Sequence, residues 1–390
     1  MSSIVKIGIV GIGNMGSAHT KSVFELPEVC RLAAVCDINP AAFERVTPEL
    51  KETVPRYPDV ESMLREADID AVIVSVPHYD HPSVAMAAMR AGKHVLVEKP
   101  IAVHKAAAEE LLAEGAKHPE LVQALMFNQR RKPAHMKLKE MITGGELGRL
   151  MRINWIITDW FRSQAYYDSG DWRASWRGEG GGVLLNQCPH QLDLLQWLFG
   201  MPVKLRAWAA IGKYHDIEVE DYVNAYMEYP DGLTGNFIAS TGEMPGTNRL
   251  EVMAERGRVV LENGQLEFIR NEVETTVFTK TTDKIFGTAP KETIAVPVEG
   301  DNPHQHRDVI EAFCKKIRGE GELVAPLSEG IRGLELGNAM LLSGLKNKEV
   351  SLPIDAAEYA EMLSGLVAKS RYVKKIIDKA ASATDFSKSY

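Results

Sequence analysis

The first third of the chain alternates short apolar runs with segments of helical periodicity, which predicts strands and helices in turn. The predicted strands are 5–10, 32–35, 71–76, 94–97 and 121–127. The predicted helical segments are 17–25, one from Pro40, 59–66, 82–91 and 105–115. This order predicts a doubly wound parallel sheet, whose ligands gather at the carboxyl ends of the strands.

Beyond about residue 128 the pattern changes to strand-like runs separated by turns, which predicts a mostly antiparallel open sheet. These strand-like runs are 149–158, 204–211, 224–229, 234–240, 249–254 and 257–262. The helical patterns in this part are 133–143, 189–199, 306–317, 328–345 and 356–380. We expect the helices at 306–317 and 328–345 to pack back on the first sheet, and the polar tail at 381–390 to fray.

A glycine-rich loop, Gly11-Ile12-Gly13-Asn14-Met15-Gly16, joins the first strand to the first helix. The first glycine permits the tight turn, the second lets a pyrophosphate approach, and the third lets helix and strand pack closely. Asp37 ends the second strand, where a carboxylate hydrogen-bonds the adenosine ribose. The loop and Asp37 together predict dinucleotide binding rather than a purely structural turn. NAD is favoured over NADP because a carboxylate repels a 2'-phosphate, although Arg45 and Lys51 follow and could compensate.

A second motif, Glu98-Lys99-Pro100, closes the strand at 94–97. A lysine at this strand end could point at the carbon where a nicotinamide cofactor exchanges hydride; the alternative is a solvated surface lysine. The expected cofactor contacts are Gly11, Gly13, Asn14, Met15, Gly16, Asp37, Ser75, Pro77, His78, His81, Glu98 and Lys99. Among these, we expect His81 to serve as a helix-capping or cofactor-loop residue rather than as a catalyst.

Composition favours a cytoplasmic enzyme. With 390 residues, 45% of them hydrophobic and 25% charged, the chain can build two cores. A formal net charge of -8 argues against a nucleic-acid or anionic-membrane partner. The four cysteines have neither Cys-x-x-Cys nor zinc-site spacing, so we expect reduced thiols and no metal. We expect no signal peptide, and no apolar run reaches membrane-spanning length.

The motifs GIGNMG, AVCD, VSVPHYDHPSVAMAAMRAGKHVLVEKP, FNQRRKPAHMKLKEMI and GEGGGVLLNQCPHQLDLLQWLFG resemble, in this order, the glucose-fructose oxidoreductase / inositol dehydrogenase (Gfo/Idh/MocA) family. The resemblance covers nearly the whole chain. It implies an NAD-binding Rossmann domain at 1–127 and an α+β domain at 128–390 for substrate binding and oligomerisation. Family membership does not identify the substrate.

The resemblance implies catalytic roles for three residues. Lys99 matches the family's substrate-contacting lysine, and His190 matches the histidine after the triple glycine, where an imidazole can act as general base. The alternative for His190 is a core histidine on an apolar helix. Many relatives carry aspartate where this chain has Asn186, and an amide cannot accept a proton. We therefore expect His190 to act alone as base and Asn186 to orient the sugar or Lys99. Asp193, at i+3, could supply a carboxylate to His190 or serve as a structural acceptor.

The segment 160–177 mixes aromatic, arginine and aspartate residues, as sugar sites do, because flat rings cover C-H faces while polar groups hold hydroxyls. The alternative is a loop whose tryptophans pack beneath the sheet. Tyr167, Trp172 and Arg173 are the first candidates for substrate contacts, and Arg162 and Trp176 the second. Arg130 matches the family's arginine after the sixth strand and is a further candidate, with Lys99, Asn186 and His190.

These observations together predict an NAD-dependent dehydrogenase that oxidises a secondary hydroxyl, at C3 in the narrower hypothesis, of a sugar, anhydrosugar, glycoside or inositol. The first alternative is a redox-neutral enzyme of the same fold that cleaves glycosides while keeping NAD bound. The second is a non-enzymatic dinucleotide or sugar sensor. An exposed antiparallel sheet face favours a homodimer or homotetramer.

Overall fold

The computed structural model describes residues 4–170 and 172–370. Its amino-terminal part is a parallel sheet, sheet A, flanked by helices. The strands of sheet A are β1 (Val5–Val10), β2 (Cys30–Cys36), β3 (Arg56–Tyr57), β4 (Ala71–Val74), β5 (His94–Val97) and β6 (Gln123–Leu125). The helices between them are α1 (Asn14–Phe24), α2 (Val60–Glu66), α3 (His81–Arg90) and α4 (Lys105–Gly115).

Sheet A has the strand order β3-β2-β1-β4-β5-β6, with every pairing parallel. The central strand β4 is apolar throughout and all four of its residues are buried, because helices cover both faces of the sheet. The order reverses direction at β1, and this switch point opens a crevice outside the carboxyl ends of β1 and β4. The doubly wound sheet predicted from the sequence is confirmed.

The carboxyl-terminal part is built on a second sheet, sheet B. Its strands are β7 (Leu150–Ile157), β8 (Lys204–Ile211), β9 (Glu220–Glu228), β10 (Thr234–Ser240), β11 (Asn248–Ala254), β12 (Gly257–Glu262), β13 (Gln265–Asn271), β14 (Lys291–Val296) and β15 (Val350–Ser351). The helices of this part are α5 (Pro133–Thr143), α6 (Gln164–Tyr167), α7 (Pro189–Phe199), α8 (Thr275–Thr281), α9 (Gln305–Ile317), α10 (Gly330–Lys346) and α11 (Ala356–Lys369).

Sheet B has the order β14-β13-β12-β11-β7-β10-β9-β8-β15 and is antiparallel except where β7 pairs with β10. Its strands alternate between a covered and an open face. On β9, Val223, Ala225 and Met227 are fully buried, whereas Tyr226 between them is exposed. Helix α10 packs on β8 of the covered face, and α7 packs on α10. The mostly antiparallel second sheet predicted from the sequence is also confirmed.

Two carboxyl-terminal helices tie sheet B to the first part of the chain. Ile310 and Phe313 of α9 lie in the same apolar cluster as Ile7 and Ile9 of β1. The ammonium of Lys105, at the start of α4, donates to Glu335 of α10 at 2.7 Å and to the carbonyl of Ile354 at 2.8 Å. The cleft between the two sheets is therefore bounded by elements that are packed and hydrogen-bonded to each other.

The structure adds elements that the sequence pattern missed. The outer strands β13 and β14 and the helix α8 lie in a stretch for which no element was predicted. No residue of β14 is buried, so it has no apolar face to signal a strand. The last helix, predicted at 356–380, is observed as Ala356–Lys369, and the remainder beyond residue 370 lies outside the described residues, as does the tail at 381–390. No helix within the described ranges is long and apolar enough to cross a membrane.

Candidate active site

In the loop after β1, close packing requires glycine at two positions, and a third glycine borders open space. Gly11 has a φ of +87°, and a Cβ there would lie 2.6 Å from the Ser75 carbonyl oxygen. A Cβ on Gly16 would lie 1.8 Å from the carbonyl oxygen of Gly11. A Cβ on Gly13, in contrast, would meet no described atom within 4 Å. Gly13 thus leaves open space at the start of α1, where helix N-H groups favour an anion such as a pyrophosphate.

Asp37, directly after β2, faces this loop. Its carboxylate accepts hydrogen bonds from the backbone N-H of Ile12 at 2.7 Å and of Asn39 at 2.8 Å. Each carboxylate oxygen has two lone pairs, so both can accept further donors, as the hydroxyls of a ribose require. The residue is only partly buried, and its position fits the predicted ribose contact.

The loop after β4 contributes Ser75, Pro77 and His78 to the same edge. The Ser75 hydroxyl and the Nδ1 atom of His78 are buried without a hydrogen-bond partner among the described residues. The His78 ring meets the edge of Trp172, with 5.4 Å between ring centroids. Burial holds the pKa of His78 well below its ordinary value, so the ring is neutral. A ligand that fills the crevice would cover these polar atoms.

His81 braces the loops after β4 and β5. Its Nδ1 lies 2.7 Å from the Pro100 carbonyl oxygen and its Nε2 lies 2.8 Å from that of Val76. Burial lowers the pKa of His81, and the two carbonyls oppose that shift. Since both ring nitrogens contact the backbone, His81 shapes the cofactor loops, and it is not placed to act on a substrate.

Glu98 points inward. Its Oε1 lies 2.7 Å from Nε2 of His19 on α1, and its Oε2 accepts from the Lys99 N-H at 3.1 Å. Burial works to raise the pKa of Glu98, but the hydrogen bond from His19 and the neighbouring cations hold it below its ordinary value. Glu98 was expected to contact the cofactor; the structure makes it an internal anchor that links α1 to the residue before Lys99.

Lys99 reaches across the cleft from β5. Its ammonium donates to the backbone carbonyl of Asn186 at 3.2 Å. Burial lowers the pKa of Lys99; the carboxylates of Glu98 and Glu179 oppose that shift, whereas Arg173 and Arg162 add to it. Lys99 is therefore not the solvated surface lysine considered as the alternative.

The triple glycine leads into a turn that is held from below by Glu220. A Cβ on Gly182 would lie 1.9 Å from the Glu220 carbonyl oxygen, so only glycine fits. The Glu220 carboxyl accepts from the N-H groups of Gly182 at 2.9 Å and Leu184 at 3.1 Å. Burial raises the pKa of Glu220 to about 7. The next residues, Val183–Gln187, form one π-helical turn, which often marks a functional site and here presents Asn186 just before α7.

His190, in the first turn of α7, is 2% exposed, and neither ring nitrogen has a hydrogen-bond partner among the described residues. An unsatisfied buried polar group costs roughly 1–3 kcal/mol. Burial holds the pKa of His190 well below its ordinary value, and the charge of Lys99 adds to this effect. The ring is therefore neutral and able to accept a proton from a ligand that reaches it.

The charges near His190 decide between the two roles left open for Asp193 and correct the expectation for Arg130. The guanidinium of Arg130 makes a bidentate pair with Asp193, at 2.7 and 2.6 Å, and a further contact with Glu329 at 2.6 Å. Asp193 is thus a structural acceptor and does not serve His190. Arg130 does not line the substrate side, because these acidic groups, distant in sequence, hold its guanidinium inside the protein.

The aromatic segment divides between the cleft and the core. The Arg173 guanidinium lies over the rings of Trp172 and Tyr166, at 4.5 and 4.6 Å from their centroids. Tyr167 was expected to contact substrate, but it is 2% exposed and its hydroxyl bonds Thr241 at 2.7 Å. Consecutive residues on a helix point about 100° apart, so α6 sends Tyr167 into the core and Tyr166 toward Arg173. Trp176 is also buried, as the alternative for this segment anticipated.

The structure also brings forward Glu179, which the sequence analysis missed. Its carboxylate accepts a hydrogen bond from the side-chain amide of Asn186 and another, at 2.7 Å, from the N-H of Ala174. A lone glutamate before a glycine stretch gives little sequence signal of such a role. Within 4–170 and 172–370, no cluster of three or more His, Cys, Asp or Glu residues is arranged to hold a metal.

Comparisons with known proteins agree with this geometry. Residues 5–125 match a family profile described as an oxidoreductase family with an NAD-binding Rossmann fold, and residues 135–260 match the GFO/IDH/MocA C-terminal domain. The chain is 26% identical over 210 residues to inositol 2-dehydrogenase of Salmonella typhimurium, which covers 51% of this chain and 56% of that relative. The aligned region thus spans little more than half of that relative's length.

Two further similarities extend over most of the chain. Levoglucosan dehydrogenase of Pseudarthrobacter phenanthrenivorans is 24% identical over 394 residues, which cover 90% of this chain and 98% of that protein. The crystal structure of the WlbA dehydrogenase from Bordetella pertussis, in complex with NADH and UDP-GlcNAcA, superposes with a TM-score of 0.76. It is 24% identical in sequence, and the match covers 90% of this chain and 100% of that chain, so it shows that the two folds are alike.

The open space at Gly13 gives a test of the cofactor site. We expect Gly13→Ala to weaken NADH binding by at least about tenfold, because the new methyl group occupies the space left for the pyrophosphate. The stability of the protein without cofactor should not fall, since the φ of Gly13 is -74° and the methyl group meets no described neighbour. NADH fluorescence titration and urea unfolding measure the two quantities.

Gly365→Ala is the matched control, because a Cβ on Gly365 of α11 also meets no described atom within 4 Å. It should leave NADH affinity unchanged. Wild-type affinity in Gly13→Ala would contradict the placement of the pyrophosphate.

Proposed function

Because the chain belongs to the Gfo/Idh/MocA family of oxidoreductases and carries its NAD-binding Rossmann domain, we propose that it is an NAD-dependent dehydrogenase of sugars or polyols. The observation that carries this proposal is the pairing of a partly buried ammonium with a buried, neutral imidazole whose ring nitrogens have no hydrogen-bond partner among the described residues. Lys99 approaches from β5 and His190 from α7, close enough for the charge of Lys99 to act on His190. A secondary hydroxyl is a ligand that both groups can serve.

The residues of the cofactor site fit NAD. The open space over Gly13 suits a pyrophosphate, and Asp37 suits ribose hydroxyls and opposes a 2'-phosphate. When bound, NAD supplies the hydride acceptor. The protein contributes the orientation of the reacting carbon and the electrostatics around its oxygen.

In the proposed reaction, a ring nitrogen of His190 accepts the proton of the substrate hydroxyl. The Lys99 ammonium donates a hydrogen bond to the same oxygen and stabilises the negative charge that develops there. The carbonyl of Asn186 fixes the direction of that ammonium through the 3.2 Å hydrogen bond. The substrate would be released as a ketone after losing this proton and a hydride, for which NAD would supply the acceptor, and the proton on His190 would pass to solvent.

For the substrate, we propose a hexose unit, free, glycosidic or nucleotide-linked, oxidised at C3. Relatives and neighbours named for inositol, levoglucosan and UDP-GlcNAcA support a ring that bears several secondary hydroxyls. Trp172 and Arg173 support it from this chain, because a partly exposed ring next to a guanidinium suits a sugar face and its hydroxyls. The pattern Asn-x-x-x-His at 186–190, with asparagine in place of the common aspartate, resembles that of family members that act at C3.

The cytoplasmic location expected from the sequence stays a prediction.

We further propose that the protein is a homodimer or homotetramer joined through the open face of sheet B. Trp208 of β8 is 55% exposed. Arg206 lies two residues before Trp208, on the same face of the sheet, and pairs with Tyr226 of β9. Large aromatic side chains grouped on a sheet face are typical of an interface.

Light scattering should therefore give at least twice the chain mass, and Trp208→Glu should reduce it, because a carboxylate would be buried in the interface. Phe24→Glu, at an exposed residue that ends α1, is the control and should keep the mass. A monomeric wild-type protein would contradict the proposed interface.

The central test is NADH formation at 340 nm with free hexoses, inositols, anhydrosugars and glycosides, using NAD and NADP. We expect turnover of at least one compound with NAD, and a loss of about 10²-fold or more in both Lys99→Met and His190→Ala, because each removes a group that acts on the reacting oxygen. NADH binding should persist in both variants.

Release of an aglycone without NADH would favour the redox-neutral alternative. A ligand response that survives in Lys99→Met without any turnover would favour a sensor.

The pH dependence of kcat/KM follows from the two lowered pKa values. Below its pKa, His190 gains a proton and stops acting as a base; since burial puts that pKa below the ordinary 6.5, the acid limb should lie below pH 6.5. Above its pKa, Lys99 loses its charge, so the alkaline limb should lie below 10.5. The acid limb should disappear from the residual activity of His190→Ala. An acid limb above pH 6.5 that persists in this variant would contradict the assignment.

A further inference from the structure

The side chain of Asn186 is held by an acid from its own loop. Its amide nitrogen donates to Oε1 of Glu179, a residue that is 1% exposed. Because a carboxylate oxygen only accepts, this contact fixes the orientation of the amide. The Asn186 Oδ1 atom is then the end that remains for another donor.

The loop is shaped to hold this carboxylate. Its second oxygen, Oε2, accepts from the N-H of Ala174 at 2.7 Å. Ala174 has a φ of +61°, in the left-handed region that residues other than glycine rarely adopt. Backbone strain at this point is offset by the hydrogen bond to Glu179.

The same carboxylate contributes charge to Lys99. Glu98 and Glu179 are two carboxylates whose charges favour the ammonium form of Lys99. Glu98 is already hydrogen-bonded to His19, and Asn186 is neutral. Glu179, seven residues before Asn186, therefore carries the negative charge near Lys99 on the α7 side of the cleft.

We propose that Glu179 is a positioning residue for the reaction, which orients the side-chain amide of Asn186 and supplies a negative charge beside Lys99. The proposal rests on the proposed dehydrogenase function. Its consequence is specific to this chain: the acid and the amide form one unit, in which Glu179 provides the charge and Asn186 provides the acceptor directed at Lys99 or the substrate.

The test relocates the charge with Glu179→Gln, Asn186→Asp and the double variant. Glu179→Gln should lower kcat about tenfold with little change in the KM for NAD, because glutamine supplies no negative charge beside the ammonium and no longer holds the Asn186 amide in one orientation. Asn186→Asp should also lower kcat, because two carboxylates in direct contact repel each other. The double variant should recover most of the activity, since the introduced amide can donate to the introduced carboxylate and one negative charge remains near Lys99.

A purely structural Glu179 would give a different result. Its hydrogen bond to Ala174 can be retained by glutamine, so Glu179→Gln would keep kcat. If glutamine did disturb the loop, the double variant would be no better than the worse single variant. Either result would overturn the proposal.

Urea unfolding of the same four proteins supplies a readout that needs no substrate. A double variant more stable than the sum of the two single effects predicts shows that the residues are coupled. Additive effects would overturn the proposal even if every protein were active. If no sugar were turned over while the unfolding cycle showed coupling, the proposed function would fail and the Glu179–Asn186 unit would stand.

Discussion

The structure depends first on the parallel pairing of all six strands of sheet A, because parallel strands end at one edge. The reversal of strand order at β1 then opens that edge between β1 and β4. The glycine loop, Asp37, the turn after β4 and Lys99 follow four different strands, yet they meet there. The second part of the chain completes the site by bringing α7 and the aromatic segment against the same edge, held in place by the buried contacts of α9 and α10.

Within this cleft, charge is arranged by burial. Burial lowers the pKa of Lys99, the cations of Arg162 and Arg173 add to that shift, and the carboxylates of Glu98 and Glu179 oppose it without reversing it. Burial keeps His190 neutral, and the charge of Lys99 adds to that effect, so a neutral imidazole and an ammonium lie in the same cleft. In contrast, the charges of Arg130 and Asp193 cancel in a bidentate pair and have no share in the proposed chemistry. A buried polar group that already has a partner, such as Arg130, serves the structure, whereas the ring nitrogens of His190 have no such partner among the described residues.

How far the sequence predicts this site depends on the range of the interactions. The close packing of Gly11 and Gly16 follows the prediction, because a strand, a tight turn and a helix are encoded within a short stretch of sequence. The ribose contact of Asp37 stays a prediction. Arg130 was misjudged because its partners lie 63 and 199 residues away. Tyr167 was misjudged because a shift of one residue along the short helix α6 decides whether a side chain points into the core or into the cleft. Glu179 was missed because the contact that gives it a role exists only after the π-helical turn has placed Asn186.

A crystal structure of the protein with NADH and a sugar that the protein oxidises would test the central claim most directly. The account predicts that the pyrophosphate lies over Gly13 and that one sugar hydroxyl lies within about 2.6–3.2 Å of both Lys99 Nζ and a ring nitrogen of His190. The carbon that bears this hydroxyl should face the nicotinamide. A sugar bound away from this pair, or a nicotinamide on the other side of the crevice, would contradict the account.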